Sequence, residues 1–223
     1  MSRILNVVAC LVVWCAASLS VAAPAAGLPS QEGLPPELTI APQPALAEQL
    51  QVLQGLRTWS EANRPKGGGF LDGLARMFTK SSQPESVQAQ WLVQTPDLFR
   101  GRLVEVTGIY QTASAEVATL QTEAGPLRLS LPQGVDMRGI STSSPQGLPV
   151  SVTGTIESAG SIPQVRVSVI KPSDWLVLLR IGRLQELLNQ PEAAEKTYQA
   201  AATAAARSTF AGFARSRAGL IAY

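Results

Sequence analysis

The chain has 223 residues, enough for one ordinary domain with an appendage or for two small domains. Its 18 basic and 16 acidic residues leave a net charge of only +2, so no strong field attracts a nucleic-acid backbone or an anionic membrane. The sequence contains no histidine, which disfavours most hydrolase triads and zinc sites.

The N-terminal segment has the pattern of an export signal. One arginine precedes a run of apolar residues, and small residues follow, which predicts a signal peptide over residues 1–22. An uncleaved membrane anchor stays open as the alternative, because a stretch of about 20 apolar residues also spans a bilayer. Both cysteines, Cys10 and Cys15, lie in this segment, so the exported chain would carry no disulfide bond. The prediction is a periplasmic or secreted protein, or in the alternative a membrane-anchored one.

Two regions follow before the pattern changes. The six prolines of residues 24–44 favour an extended linker over residues 23–44 that spaces the domain from the membrane. Residues 45–97 form a helical segment, since apolar residues recur at helical spacing over 46–59 and again over 70–78. The glycine-rich stretch between these stripes lacks the Gly-Lys-Ser/Thr ending of a phosphate-binding loop, so we predict no nucleotide site there.

From residue 98 the apolar residues alternate with polar ones, which predicts β-strands. Clusters of glycine, proline, serine and threonine separate five of them, at 102–110, 116–122, 126–131, 148–157 and 163–170. The phrase Val-x-Val-Thr-Gly occurs twice, at 104–108 and at 150–154. The match is short and nothing around it repeats, so it indicates shared strand geometry rather than a duplicated unit.

The stretch FRGRLVEVTG, residues 99–108, resembles the first strand of bacterial OB-fold domains. The resemblance implies a five-stranded Greek-key barrel over residues 98–171, in which the first and fourth strands pair antiparallel. Gly108 and Gly154 would then be structural, permitting the strands to bend. The connection 132–147 is poor in helical spacing, so the helix usual at this point is expected to be reduced to a loop.

OB barrels bind oligonucleotides or oligosaccharides across their second and third strands, where Arg128 is the basic residue expected to face outward. The outward positions of these strands carry no aromatic residue, and residues 98–171 hold six basic and five acidic side chains. This near-neutral balance gives no electrostatic footprint for nucleic acid. We therefore expect no nucleic-acid partner.

The C-terminal region, residues 172–223, returns to helical spacing. Ile181-Gly182, Ala194, Tyr198 and Ala201 fall at offsets that resemble a tetratricopeptide repeat (TPR). The resemblance implies a helical hairpin that binds a protein partner. Tyr198, Phe210 and Phe213 are the candidate binding residues there, and a purely structural role in capping the barrel stays open for all three.

Together these patterns predict an α+β fold, with a five-stranded OB-like β-barrel flanked by N-terminal helices and a C-terminal TPR-like helical hairpin. The aspartates lie in turns or at helix starts and no serine sits in a G-x-S-x-G elbow, so we predict no enzymatic activity, cofactor or metal. The expected function is an exported interaction or scaffolding module with a protein partner in the cell envelope. The alternative is a barrel that binds a small ligand or a glycan. A membrane contact is expected only if the N-terminal segment is retained as an anchor.

Overall fold

A computed structural model describes residues 34, 38, 40, 46–63, 84–112, 117–138, 140, 147–158, 162–206, 208 and 210–222. All of them belong to one unit, residues 31–223. The predicted signal segment and the apolar stripe at 70–78 lie outside the described residues, and so do the last residues of the predicted linker.

Among the described elements, one helix precedes the strands, a short helix and a 3₁₀ turn follow the first strand, and three helices follow the last strand. The helices are α1 (Leu46–Ala62), α2 (Ala89–Gln94), α3 (Asp174–Leu187), α4 (Pro191–Ala204) and α5 (Phe210–Ile221), with a 3₁₀ turn at Pro96–Phe99. The strands are β1 (Glu85–Ser86), β2 (Leu103–Thr112), β3 (Val117–Thr122), β4 (Gly125–Ser130), β5 (Asp136–Met137), β6 (Leu148–Ser158) and β7 (Gln164–Pro172). The five long strands agree with the predicted ones to within about two residues, the usual uncertainty at strand ends.

Five strands close into a barrel. β2 pairs antiparallel with β3, β3 with β4, and β6 with both β2 and β7. The parallel pairing of β4 with β7 completes the ring. Apolar side chains fill its interior because they occupy alternate positions of each strand. The order and direction of these strands are those of an OB-like barrel, and the predicted α+β class is confirmed at this level.

The two Val-x-Val-Thr-Gly phrases lie directly against each other. β2 and β6 pair antiparallel with Val104 opposite Gly154 and Gly108 opposite Val150, so each phrase is the cross-strand partner of the other. The four valines of the two phrases point into the barrel and are buried. The polar residues between them point to the outside. The predicted pairing of these strands is confirmed, and we call β2 and β6 the twin strands.

The glycines of the twin strands mark places where another strand passes close by. A Cβ atom at Gly154 would lie 2.4 Å from the carbonyl oxygen of Arg166, and one at Gly108 would lie 2.5 Å from that of Gln121. The register of β6 against β7 also shifts between Thr153 and Gly154. Only glycine fits such an approach, which agrees with the structural role predicted for both residues.

The N-terminal part of the unit contributes buried apolar side chains to the core from two places. Leu92 of α2 is fully buried in the same apolar cluster as the barrel valines, and α2 contacts β4. Leu38 and Ile40 are also buried, although both fall in the region expected to be an extended linker. That region therefore contributes to the core, and it does more than space the domain.

Helices α3, α4 and α5 pack in chain order, with α1 against α3. α3 is buried around most of its circumference because the barrel, α1 and α4 all contact it. Tyr198 of α4 lies against Gly182 of α3, where an added Cβ would come within 3.0 Å of the ring. The helical region is thus observed as predicted, while its likeness to a TPR stays a prediction.

Candidate functional site

The outer surface of β3, β4 and β7 is a continuous polar face. Cross-strand pairing places Thr119, Arg128 and Gln164 in one row, and Ser130 lies beside Arg166 in the next. We call these five residues the polar face. Arg128 and Arg166 are exposed, and they are diagonal neighbours across the parallel pair of β4 and β7. The arrangement places two guanidinium groups among hydroxyl and amide groups.

The two arginines differ in their surroundings. Arg166 Nη1 lies 3.5 Å from Glu157 Oε1, an exposed and weak ion pair. Arg128 has no carboxylate partner among the described residues. Beside Arg166 the surface opens into a cleft of about 490 Å³, lined also by Gln133, Thr155 and Ser168. The polar face therefore continues from the strands into a depression large enough for part of a ligand.

A second cavity lies over the outer surface of the twin strands. It has a volume of about 730 Å³ and is bounded by the end of α1, the end of β7 and the start of α3. We call it the twin-strand cleft. The lining residues that define it here are Trp59, Asn63, Glu105, Thr107, Lys171 and Trp175.

The floor of the twin-strand cleft is an ordered group of charged and polar side chains. Lys171 Nζ lies 2.9 Å from Glu105 Oε1, and Ser151 donates a 2.6 Å hydrogen bond to the same oxygen. Burial of Glu105 opposes its ionisation, but the hydrogen bonds from Ser151 and Lys171 and the charge of Lys171 outweigh it, so the pKa of Glu105 is lowered. Glu105 is therefore an ionised carboxylate at neutral pH, held through its Oε1 atom by Lys171 and Ser151.

The predicted binding residues do not come together. Arg128 is exposed on the polar face, whereas Tyr198 is fully buried and Phe210 nearly so. The Phe210 ring stacks on Trp175 at 5.2 Å, and Phe213 meets Tyr198 edge-on at 6.5 Å. Tyr198 and Phe210 thus act as core residues in this structure, because helices α3 to α5 pack over them. A binding role for Arg128 and for the half-buried Phe213 stays a prediction.

A polar centre that the sequence patterns do not reveal joins the C-terminal helices. Glu186 accepts a 2.6 Å hydrogen bond from the Tyr198 hydroxyl and a 3.2 Å one from Arg183, and Arg217 of α5 also donates to it. Burial, and then the neighbouring Glu186 carboxylate, raise the pKa of Tyr198, so its hydroxyl stays a donor. One carboxylate thereby links α3, α4 and α5.

No family model and no curated protein matches the chain. Solved structures do match. The telomere capping protein Ten1 from Saccharomyces pombe is 13% identical with a TM-score of 0.33, covering 49% of this chain and 99% of Ten1. The chain matched in the S. pombe Stn1–Ten1 complex is 13% identical with a TM-score of 0.31, and the match covers 42% of this chain and 79% of that one. U. maydis replication protein A bound to single-stranded DNA is 18% identical with a TM-score of 0.29, and the match covers 40% of this chain and 74% of that one.

These comparisons contradict two of the expectations above, and both are withdrawn. The matched structures are telomere and replication proteins, one of them bound to single-stranded DNA, and none is described as an envelope scaffold. The expected envelope interaction module and the expected lack of a nucleic-acid partner are therefore wrong. All three TM-scores lie below 0.5, so the function proposed below is argued from the barrel's own surface.

Two further observations apply to the described part of the chain. None of its helices is both long enough and apolar enough to cross a bilayer. Within the same residues, no three side chains of the metal-binding types (His, Cys, Asp, Glu) come together as a group.

Proposed function

We propose that the barrel binds single-stranded nucleic acid along its polar face. The observation that carries the proposal is the pair of exposed guanidinium groups, Arg128 and Arg166, on adjacent rows of β4 and β7. Arg128 lies on the third barrel strand, within the surface across which OB barrels bind their polymers, and Arg166 extends that surface onto the neighbouring strand. A guanidinium group suits the task twice over, since it pairs with phosphate oxygens and stacks on unpaired bases.

The composition of the polar face sets the strength and the selectivity of this binding. Hydroxyl and amide groups of Thr119, Ser130 and Gln164 can hydrogen-bond to sugars and phosphates without reading a sequence. The described outward positions carry no aromatic side chain, so base stacking rests on the arginines. Binding is therefore weak, tolerant of sequence and sensitive to salt.

Fluorescence anisotropy with a labelled oligothymidine tests the proposal. With two phosphates neutralised, the logarithm of the association constant should fall against the logarithm of salt concentration with a slope of about −1.4. Arg128→Ala should weaken binding about tenfold, as expected for the loss of one charge-assisted hydrogen bond. Arg166→Ala should act in the same direction, and less strongly because Glu157 already neutralises part of its charge.

Arg57→Ala is the matched control, because Arg57 is exposed on α1 and pairs with Glu61 far along the chain from the barrel strands. It should leave the affinity unchanged. Absence of binding at low salt, or binding that the double variant Arg128→Ala/Arg166→Ala retains in full, would show that the polar face is not a nucleic-acid site.

Export, the TPR-like character of the C-terminal helices and the lack of catalysis stay predictions from the sequence. Cell fractionation with a C-terminal epitope tag would test the first, by showing whether the chain leaves the cytoplasm and whether it loses about 22 residues. Its outcome is independent of the binding experiment.

A further inference from the structure

The twin-strand cleft has the properties of a ligand site distinct from the polar face. Its volume of about 730 Å³ lies within the range of small-molecule sites. Its floor is a β-surface, and its rim is formed by the ends of α1 and β7 and the start of α3. A hydrogen bond from the Ser60 hydroxyl to the Asp174 carboxylate joins α1 to α3 at that rim. The cleft is thus built by elements that other contacts already hold in place.

Two carboxylates and two cations line the cleft, so their formal charges cancel, which favours an uncharged ligand. They are Glu105, Asp174, Lys171 and Arg138. Glu105 pairs with Lys171 and accepts from Ser151, Asp174 accepts from Ser60, and Arg138 pairs with Asp136 at 2.6 Å. Neutral polar groups that line the cleft and can contact a ligand include the hydroxyls of Thr107 and Ser86 and the amide of Asn63. The Asn63 nitrogen donates one of its two hydrogens to the Trp59 carbonyl.

Two indole rings give the cleft flat apolar surfaces. Trp59 and Trp175 are both half-buried and both line it. Trp175 also lines an adjoining cavity of about 150 Å³, and Phe210 stacks on it at 5.2 Å with 29° between the planes. That contact fixes the orientation of the indole, so a ligand ring stacking on Trp175 loses little freedom in ordering it.

We propose that the twin-strand cleft binds a neutral, planar, polar ring of the nucleobase class, stacked on Trp175 with its edge hydrogen-bonded to Thr107. A planar heterocycle matches the indole face, and its amide-like edge matches a hydroxyl donor and acceptor. The inference rests on the proposed function only for the class of ligand. The two sites share β7 but use different parts of it, Gln164 and Arg166 for the polar face and Lys171 for the cleft, and they are tested with separate variants.

Calorimetric titration of the full-length protein with adenosine and with uridine, which carry no phosphate, measures base binding without the phosphate contacts of the polar face. Saturable binding is expected. Trp175→Leu should weaken it about tenfold through loss of the stacking surface. Thr107→Val, which keeps the shape of the side chain and removes its hydroxyl, should weaken it severalfold and guards against a fold defect in the tryptophan variant.

Trp91→Leu is the control, because Trp91 is exposed on α2 and does not line the cleft; it should bind as the unaltered protein does. The inference is overturned if neither nucleoside binds, if Thr107→Val and Trp175→Leu both bind normally, or if methyl glucoside binds as well as the nucleosides. Arg128→Ala should weaken oligonucleotide binding and leave nucleoside binding unchanged. If oligonucleotides fail to bind while nucleosides do, the proposed function fails and this site stands.

Discussion

The barrel and the C-terminal helices each bury one tyrosine, and they treat its hydroxyl group in opposite ways. Tyr110 of β2 lies in the barrel core, where its hydroxyl has no hydrogen-bond partner among the described residues. Tyr198 of α4 donates its hydroxyl to Glu186. In the barrel, position is set by strand pairing and by close backbone approach. In the helices, a buried polar centre specifies which surfaces meet, and the following predictions test that difference.

The largest effect is expected in the barrel, at Gly154. Gly154→Val would place a Cβ 2.4 Å from the Arg166 carbonyl oxygen, which belongs to the backbone of β7 and cannot move aside alone. We expect a loss of more than about 4 kcal/mol in the free energy of unfolding, measured by urea denaturation. Gly55→Ala on α1, where nothing lies within 4 Å, should instead gain up to about 1 kcal/mol. A mild effect at Gly154 would mean that the twin strands do not need this close approach.

The next effect is expected at the polar centre of the helices. Glu186→Gln removes the negative charge between Arg183 and Arg217, and the Glu186 side chain is only 12% exposed. Loss of the carboxylate charge beside the buried Arg183 and the partly exposed Arg217 should cost about 3 kcal/mol, again by urea denaturation. The control is Glu61→Gln, which breaks an exposed ion pair with Arg57 and should cost less than about 1 kcal/mol. Equal effects of the two substitutions would remove the distinction between the regions.

Replacing each tyrosine by phenylalanine compares the two regions directly. Tyr198→Phe leaves Glu186 short of a donor and should cost about 2 kcal/mol, the value of a hydrogen bond to a charged group. Tyr110→Phe removes a buried hydroxyl that has no partner in the described part of the chain, so it should be neutral or stabilise by up to about 1 kcal/mol. The same measurement applies to both. The interpretation would be wrong if both variants lost stability equally.

The smallest effect is expected on the outside of the barrel, at Glu105. Its lowered pKa means that ionised Glu105 stabilises the fold above its ordinary pKa near 4.5, and that this contribution is lost as the pH falls through the lower, folded value. Glu105→Gln should cost less than about 1 kcal/mol at pH 7, since the pair with Lys171 is partly exposed. The deficit should shrink below about pH 4.5, which unfolding measurements from pH 7 to 3 would show. A deficit that does not change with pH would assign the effect to packing.

Alternation and turn residues were sufficient to predict the barrel, because a strand with one buried face repeats its apolar residues at every second position. β6 and β7 show this most clearly. The pairing of the twin strands, which alternation alone does not specify, followed from the resemblance to OB-fold domains and is confirmed. Helix α2 was not separated from its surroundings, since six residues are too few to show helical spacing. Leu38 and Ile40 were hidden by the prolines around them, although their alternation is the spacing of a buried extended segment.

The polar and binding features were harder to predict for a different reason. Tyr198 and Arg217 lie 12 and 31 positions after Glu186. Contact between these three residues depends on how the helices pack, so it leaves no local pattern in the sequence. The spacing of Gly182 and Tyr198 did indicate helices in contact, but it did not distinguish a core tyrosine from an exposed one. The twin-strand cleft joins residues from α1, β2, β7 and α3, which no single stretch of sequence brings together.

The mutual pairing of the twin strands also dictates the order in which the barrel can form. Glu105 and Ser151, whose side chains meet across the pair, are 46 positions apart. While the chain is synthesised, β2, β3 and β4 are complete before β6 exists. Until then, one edge of β2 has unpaired backbone groups and its inward-facing valines are not yet covered by β6. Because long-range closure is slower than local packing, we expect the pairing of β6 with β2, rather than the packing of α3 to α5, to limit the rate of folding. During that interval the open edge is the part of the chain most exposed to pairing with another molecule.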